Sequence, residues 1–423
     1  MDKLVIIGGQ KLSGKVKVSG AKNAALPILA ATLLTDKEVI LNNIPDLVDV
    51  DLMLGLLSIL GKEIKREGKK VIILACKEGC YEAPYELVNQ MRASIVVAGA
   101  LLGKIGKAKV SLPGGCAIGA RPVDLHLKGF ENLGAKIILE EGYVNAASPD
   151  GLKGAEICLD FPSVGATENL IMASVLASGK TIINGCAKEP EIVDLANFLE
   201  SLGAKISSAG TDRIEIRGVK ALRGGEYSII SDRIEAGTYL VAGAITGSSI
   251  TVKGADRGHL TALINKLKEA GVNVEEGSRE IRVSPAGQIL PVNIKTMPYP
   301  GFPTDMQAQM MALASLASGE SVIMETVFEN RFMHVDELNR MGADIKIEGH
   351  SAFIKGVSSL SGARVKATDL RAGAALVLAG LAASGTTEIS ELCHLDRGYE
   401  RIVEKLVGLG ARVERVKGEE DAS

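Results

Sequence analysis

A pattern that recurs six times constrains this chain more than any other feature. A helical stretch ending in glycine and followed by a short strand-like run appears as SILGKEI, ENLGAKI, ESLGAKI, KEAGVNV, NRMGADI and VGLGARV. The glycines are Gly61, Gly134, Gly203, Gly271, Gly342 and Gly410, spaced about 70 residues apart. Each stands where a helix C-cap needs a left-handed residue before the chain turns into a strand. Inside each unit a second, Ala-rich helix ends at a turn residue, namely Asp36, Gly106, Gly179, Gly247, Gly319 or Gly385. Six such units account for essentially the whole of the 423 residues.

Every unit predicts a strand, the Ala-rich helix, a strand, a second helix and then a strand pair such as KREGKKVIILA. The strand that leads the first unit is GKVKVSG, and that of the sixth is GARVKATD. The sixth unit ends near Val416 without a following strand, so the N-terminal segment is expected to complete the C-terminal half. The chain is therefore divided into 22–229 for one lobe and 1–21 plus 230–423 for the other, with three units in each. The fold class is α/β.

Composition narrows the function. The 48 basic and 51 acidic side chains leave a net charge of −3, without the basic excess that nucleic-acid binding uses. Seven Phe, seven Tyr and no Trp supply few stacking platforms for bases. The first 20 residues read as a strand rather than a secretory signal, and the longest apolar run, Ala24 to Leu34, is broken by Pro27 and Thr32 and is too short to span a bilayer. Six cysteines make no disulfide framework, and neither they nor the five histidines fall at metal-ligand spacing. A cytoplasmic protein with no metal site is expected.

Charges fall at equivalent places in the repeat. Fourteen residues before each inner turn residue stand Lys22, Arg92, Gly165, Arg233, Asp305 and Arg371. This slot opens a mostly apolar helix, where free N–H groups already favour anions, so cations there make poor dipole partners. They suit a site that holds an anion. Asp305 carries the opposite sign among them, as a catalytic base would. A second set, Arg121, Arg257, Arg331 and Arg397, opens the outer helix of four units. Arginines at repeat-equivalent positions also serve as caps and bridges between units, and for any single one that reading is as good. For the set, an anionic substrate with several charges explains more.

Cys116 lies in LPGGCAIGARP, between two glycine clusters and shortly before Arg121. Glycines let backbone approach a ligand, and a nearby arginine favours thiolate. Taken by itself, a single cysteine reads more simply as a small buried hydrophobe.

Together these segments resemble the enolpyruvyl transferases. The resemblance runs along the whole chain through SGAKNAALP, QMRAS, SLPGGCAIGARPVDLH, KEPEIVD, FPTDMQAQ, ETVFENRFMHVDEL, ATDLRAG and HLDRGYERI. It implies a two-lobed inside-out α/β barrel, three copies of one unit per lobe. It also implies transfer of the enolpyruvyl group of phosphoenolpyruvate to the 3′-hydroxyl of UDP-N-acetylglucosamine, the first committed step of peptidoglycan synthesis, without a cofactor. By the same resemblance Cys116 is the proton donor and the cysteine alkylated by the epoxide fosfomycin, and Asp305 is the carboxylate at the sugar hydroxyl. Lys22, Arg121 and Arg397 hold the phosphate, with Asn23 beside them, and Arg331 and Arg371 lie near the carboxylate end of the anionic pocket. Arg92, the stretch Arg121, Pro122, Val123, Asp124 and Leu125, the turn Ser163, Val164 and Gly165, and Val327 match nucleotide-sugar contacts. One departure is Phe161, where some members carry a lysine near the nucleotide. Two alternatives stand beside this reading, the sister activity on shikimate 3-phosphate and a catalytically silent paralogue. The PGGC loop and RPVDL favour the nucleotide sugar over the first, and joint retention of Cys116, Asp305, Lys22, Arg121 and Arg397 disfavours the second.

Overall fold

The computed structural model describes residues 2–74, 80–90, 95–112, 123–285 and 287–417. The six repeat glycines all have a left-handed backbone, with φ between 82° and 101° (Gly271 and Gly203), so each outer helix ends where its glycine stands. Contacts divide the described residues into two compact units, 20–112 with 123–230 and 2–19 with 231–417. Gly20, Ala21 and Ile230 belong with the first of these. The Ala21 N–H donates to the Ile230 carbonyl at 2.8 Å, and a Cβ on Gly20 would sit 1.8 Å from the Asn43 carbonyl oxygen.

Among the described residues, six four-stranded sheets of closely similar topology follow from the repeat. In each, a leading edge strand runs parallel to the strand that follows an inner helix, and that strand pairs antiparallel with a further strand pair, a hairpin in five of the sheets described. The N-terminal strand Lys3–Ile7 sits between Thr386–Ser390 and Arg412–Val416, antiparallel to both, so the first residues complete the sixth sheet. Two leading strands are exchanged between repeats. Ser13–Lys17 pairs in parallel with Ser249–Lys253, and Gly225–Ser228 pairs in parallel with Val39–Asn42. Each unit thereby holds three of the six sheets described, and the unit that carries Asp305 draws on both the first residues and those after 230.

The inner helices explain the alanines. Arg233–Ile245 and Leu370–Ala382 are buried nearly all round, as a helix apolar on every face must be. Within residues 20–230 the inner helices Lys22–Ala31, Val97–Ile105 and Val164–Ser174 lie in one core. In the other unit Arg233–Ile245, Gln307–Ala314 and Leu370–Ala382 pack on one another. Outer helices are instead amphipathic. Arg257–Glu269 buries Leu260, Leu263, Ile264 and Leu267, one stripe at helical spacing.

Close packing of inner helices depends on glycine at one contact in particular. A Cβ at Gly99 would lie 2.2 Å from the backbone oxygen of Asn169, on the facing helix. Gly99→Ala is therefore expected to destabilise its unit by roughly 1–3 kcal/mol through overpacking. Gly55, exposed within Val48–Ile59 and with nothing near its missing Cβ, gives the opposite sign. Gly55→Ala should stabilise by about 0.5–1 kcal/mol, since alanine is the better helix former. Urea unfolding of the two variants beside the wild type checks both directions.

Candidate active site

The charged slot falls at the opening of the inner helices, as the repeat spacing requires. Lys22 and Arg233 are first residues of their helices, and Gly165 and Arg371 are second. Asp305 lies in the short 3-10 turn Thr304–Met306 that leads into Gln307–Ala314. Aspartates offset the cations from the cap position. Asp232 accepts from the Ile234 and Glu235 N–H groups at 2.8 and 2.9 Å, and Asp369 from those of Arg371 and Ala372 at 2.8 and 3.1 Å.

Three of the expected residues meet in the unit formed by residues 2–19 and 231–417. Arg331 Nη2 donates to Asp305 Oδ1 at 2.7 Å, and Arg371 Nη2 donates to Oδ2 at 2.8 Å. Both arginines are buried, at 4% and 5% exposure, while a quarter of the Asp305 side chain remains accessible. Burial pushes the Asp305 carboxyl upward, but the charges of Arg371 and then Arg331 more than offset it, holding the group well below the usual carboxylate range. The same pairing makes the Arg371 guanidinium still more basic, although its burial acts the other way.

Residues without a signature in the sequence fix this arrangement. The Thr304 hydroxyl accepts from Arg331 Nη1 at 3.1 Å and donates to Glu325 Oε2 at 2.8 Å. Glu325 Oε1 accepts from the Thr296 hydroxyl and from the backbone N–H groups of Val327 and Phe328. Val327 is thereby anchored to the buried carboxylate that orients Arg331 through Thr304. The Phe328 ring lies 5.1 Å from the Arg331 guanidinium and the Tyr399 ring 5.8 Å from that of Arg371. Gln309 Nε2 donates to the Asp305 carbonyl at 2.9 Å, tying the turn to the helix behind it. Arg397 caps the short helix Cys393–Asp396 and is half-buried.

In the unit formed by residues 20–230, Lys22 Nζ lies 3.0 Å from the buried carboxylate of Asp49, and half-buried Asn23 follows it. Nothing in VDVD singles out Asp49, whose partner is supplied by a different helix. Val123 precedes the helix Asp124–Asn132, with Asp124 exposed and Leu125 half-buried at its start. Ser163 caps Val164–Ser174, its Oγ accepting from Ala166 N–H at 3.3 Å, and Phe161 just before it is 44% exposed. Cys116, Arg92, Arg121 and Pro122 lie outside the described residues. Among the described residues no cluster of His, Cys, Asp and Glu is placed to hold a metal, and no helix is long and apolar enough to cross a membrane. A depression of about 700 Å³ in the unit that carries Asp305 is lined by Lys11, Thr246, Ser318 and Ser358 and contains none of the expected residues.

Residues 6–406 match the family of EPSP synthase (3-phosphoshikimate 1-carboxyvinyltransferase). The chain is 59% identical over 418 residues to UDP-N-acetylglucosamine 1-carboxyvinyltransferase 2 of Carboxydothermus hydrogenoformans, spanning 98% of this chain and all of that protein. The chain belongs to the enolpyruvyl transferase family. A second relative, UDP-N-acetylglucosamine 1-carboxyvinyltransferase 1 of Staphylococcus aureus, is 57% identical over 419 residues, again covering 98% of this chain and all of the other. Among solved structures the transferase is similar to the enolpyruvyl transferase NikO of Streptomyces tendae, with a TM-score of 0.89, 28% identity and 99% of each chain covered. EPSP synthase of Acinetobacter baumannii shares the fold at a TM-score of 0.77 and 18% identity, over 99% of this chain and all of that one.

The carboxylate between two guanidiniums has a consequence for stability. Asp305→Asn leaves Arg331 and Arg371 buried without their counter-charge, which should cost roughly 3 kcal/mol. A carboxyl whose folded pKa is depressed contributes stability that is complete above the unfolded value, about 4, and is lost as pH falls through the lower folded value. The difference in unfolding free energy between wild type and Asp305→Asn is therefore expected to hold from pH 8 to pH 5 and to narrow only below about pH 4. Denaturant titrations across that range measure it.

Proposed function

We propose that this enzyme transfers the enolpyruvyl group of phosphoenolpyruvate to the 3′-hydroxyl of UDP-N-acetylglucosamine with release of phosphate, committing the sugar to peptidoglycan synthesis. Family membership supports the transferred group. The acceptor is supported by full-length identity of 59% to a protein named for that acceptor, against 18% to EPSP synthase. The observation that carries the chemistry is the Asp305 carboxylate held between Arg331 and Arg371 at hydrogen-bond distance. Both substrates are small molecules, no cofactor is used, and we place the enzyme in the cytoplasm.

Phosphoenolpyruvate is a weak electrophile at C2 until its C3 is protonated. The Cys116 thiol donates that proton, C2 takes on cationic character, and the 3′-hydroxyl oxygen attacks it. Asp305 removes the hydroxyl proton as the C–O bond forms. The tetrahedral adduct then loses a proton from C3 and expels phosphate, restoring the double bond, with Lys22, Arg121 and Arg397 stabilising the departing charge and Asn23 beside them. Arg92, Val123, Asp124, Leu125, Ser163, Val164, Gly165 and Val327, together with Pro122, contact the nucleotide sugar.

A base clasped by two arginines is a poor base. Phosphoenolpyruvate brings a carboxylate of its own, which matches the same guanidinium forks. As that carboxylate takes up hydrogen bonds from Arg331 and Arg371, Asp305 loses its cationic neighbours and its proton affinity rises. The base becomes competent when the group to be transferred has arrived. Phosphate release assayed with phosphoenolpyruvate, offering UDP-N-acetylglucosamine and shikimate 3-phosphate separately, tests the function. Release with the nucleotide sugar alone is expected. Release with shikimate 3-phosphate alone would refute the acceptor, and release with neither would refute the activity. Cys116→Ala is expected to lower turnover by about 10²-fold or more and to abolish covalent labelling by fosfomycin, read as the loss of the adduct mass.

A further inference from the structure

His126 is almost wholly buried, belongs to none of the sets already described, and is fixed by an unusual polar neighbour. Asn169 lies in the middle of the inner helix Val164–Ser174 and is completely buried. Its amide orientation is set by two backbone groups. The Gly99 N–H donates to Oδ1 at 2.7 Å, and Nδ2 donates to the Ile95 carbonyl at 3.0 Å. The remaining Nδ2 hydrogen points to His126 Nδ1, 2.7 Å away. Because Nδ2 has only donors to offer, Nδ1 must accept, and the ring proton resides on Nε2. An imidazolium would set N–H against N–H here. Burial acts in the same direction, holding the histidine down to about 4 although the charge of Asp124 opposes it.

The imidazole also has a fixed direction. Gly165 and Asn169 are four residues apart and share one face of the inner helix. Asn169 holds Nδ1, while a Cβ added at Gly165 would lie 3.3 Å from Cε1 and 3.5 Å from Nε2. Thus the ring lies along one helical turn with its Nε2–H toward the helix N-terminus, next to Ser163, Val164 and Gly165. The same ring explains why the charged slot holds glycine in this unit, since a side chain at Gly165 would press against it. Gly129, where a Cβ would meet Leu170, lets the outer helix carrying His126 approach closely enough. Among the described residues Nε2–H has no hydrogen-bond acceptor.

We propose that His126 is a specificity residue of the nucleotide-sugar subsite, presenting its Nε2–H donor beside Gly165 to an acceptor oxygen of the nucleotide. The proposal rests on the reading of the acceptor given above. Asn169 is then a positioning residue, acting through the tautomer that it selects. Asp124 and Leu125 precede His126, and Val164 and Gly165 precede Asn169, so one hydrogen-bonded pair ties together the two segments expected to contact the nucleotide.

Two substitutions separate donor from scaffold. His126→Asn keeps an oxygen that can accept from Asn169 and removes the distal donor, whereas His126→Gln restores an N–H near the Nε2 position. Calorimetric titration with UDP-N-acetylglucosamine is expected to show about tenfold weaker binding for His126→Asn, the loss of one hydrogen bond, with most of it recovered by His126→Gln and with matching thermal unfolding of the two variants. Titration with UDP and with uridine locates the oxygen: weaker binding of both places it on the nucleoside, and of UDP alone on the diphosphate. Nitrogen-15 spectra of the wild type are expected to show the Nε2–H tautomer between pH 6 and 8. A wild type that takes up no UDP-N-acetylglucosamine overturns the acceptor reading and this proposal with it. Wild-type binding equalled by His126→Asn, or an Nδ1–H tautomer, overturns the proposal alone.

Discussion

Placing two guanidiniums in the interior of a protein costs several kcal/mol each unless an anion meets them with good geometry. Asp305 supplies that anion for Arg331 and Arg371, one carboxylate oxygen to each. The arginines are held from behind as well, Arg331 by Thr304 and the aromatic face of Phe328, Arg371 against Tyr399. Only the carboxylate retains access to solvent. Such a site is stable in this state and also poised, because a substrate with its own carboxylate can replace the internal one without leaving either cation bare. Under the proposed function, stability and catalysis would use the same three side chains in succession.

The repeat makes this arrangement possible. Leading strand, inner helix and parallel strand together place the first turn of an inner helix at the same position in every unit. Alanine and glycine allow these helices to pack closely, which keeps their N-terminal turns together within each unit. Caps at Asp232 and Asp369 absorb part of the cost of setting arginines at the positive end of a helix. The six slots differ in charge, lysine or arginine in four, glycine in one and aspartate in one, so that repeat-equivalent positions carry different chemistry.

Much of this was legible in the residues because it is periodic. The C-cap glycines, the inner helices and the N-terminal strand that completes the last sheet all follow from spacing and from the conformations that glycine alone adopts readily. Asp305 stood out because its sign breaks a pattern. What remained hidden is the second layer of contacts. Asp49 against Lys22, Glu325 behind Thr304, and Tyr399 beside Arg371 have no spacing rule, since their partners come from elements 21 to 28 residues away or more. Asn169 looks like any polar residue in an alanine-rich helix, and its meaning emerges only when Gly99, Ile95 and His126 are seen around it. The pairing of the exchanged leading strands has no periodic signature of its own, although the division at 21/22 and 229/230 already groups each strand with the one it pairs with. Segments carrying Arg92, Cys116, Arg121 and Pro122 stand on the sequence resemblance.

The central claim is that Asp305 and the carboxylate of phosphoenolpyruvate compete for Arg331 and Arg371. Calorimetric binding of phosphoenolpyruvate to the Asp305→Asn variant, in the presence of saturating UDP-N-acetylglucosamine, measures that competition directly. Removing the competing charge should make phosphoenolpyruvate bind more tightly than the wild type does. Equal or weaker binding would contradict the exchange and return Asp305 to a role independent of its two arginines.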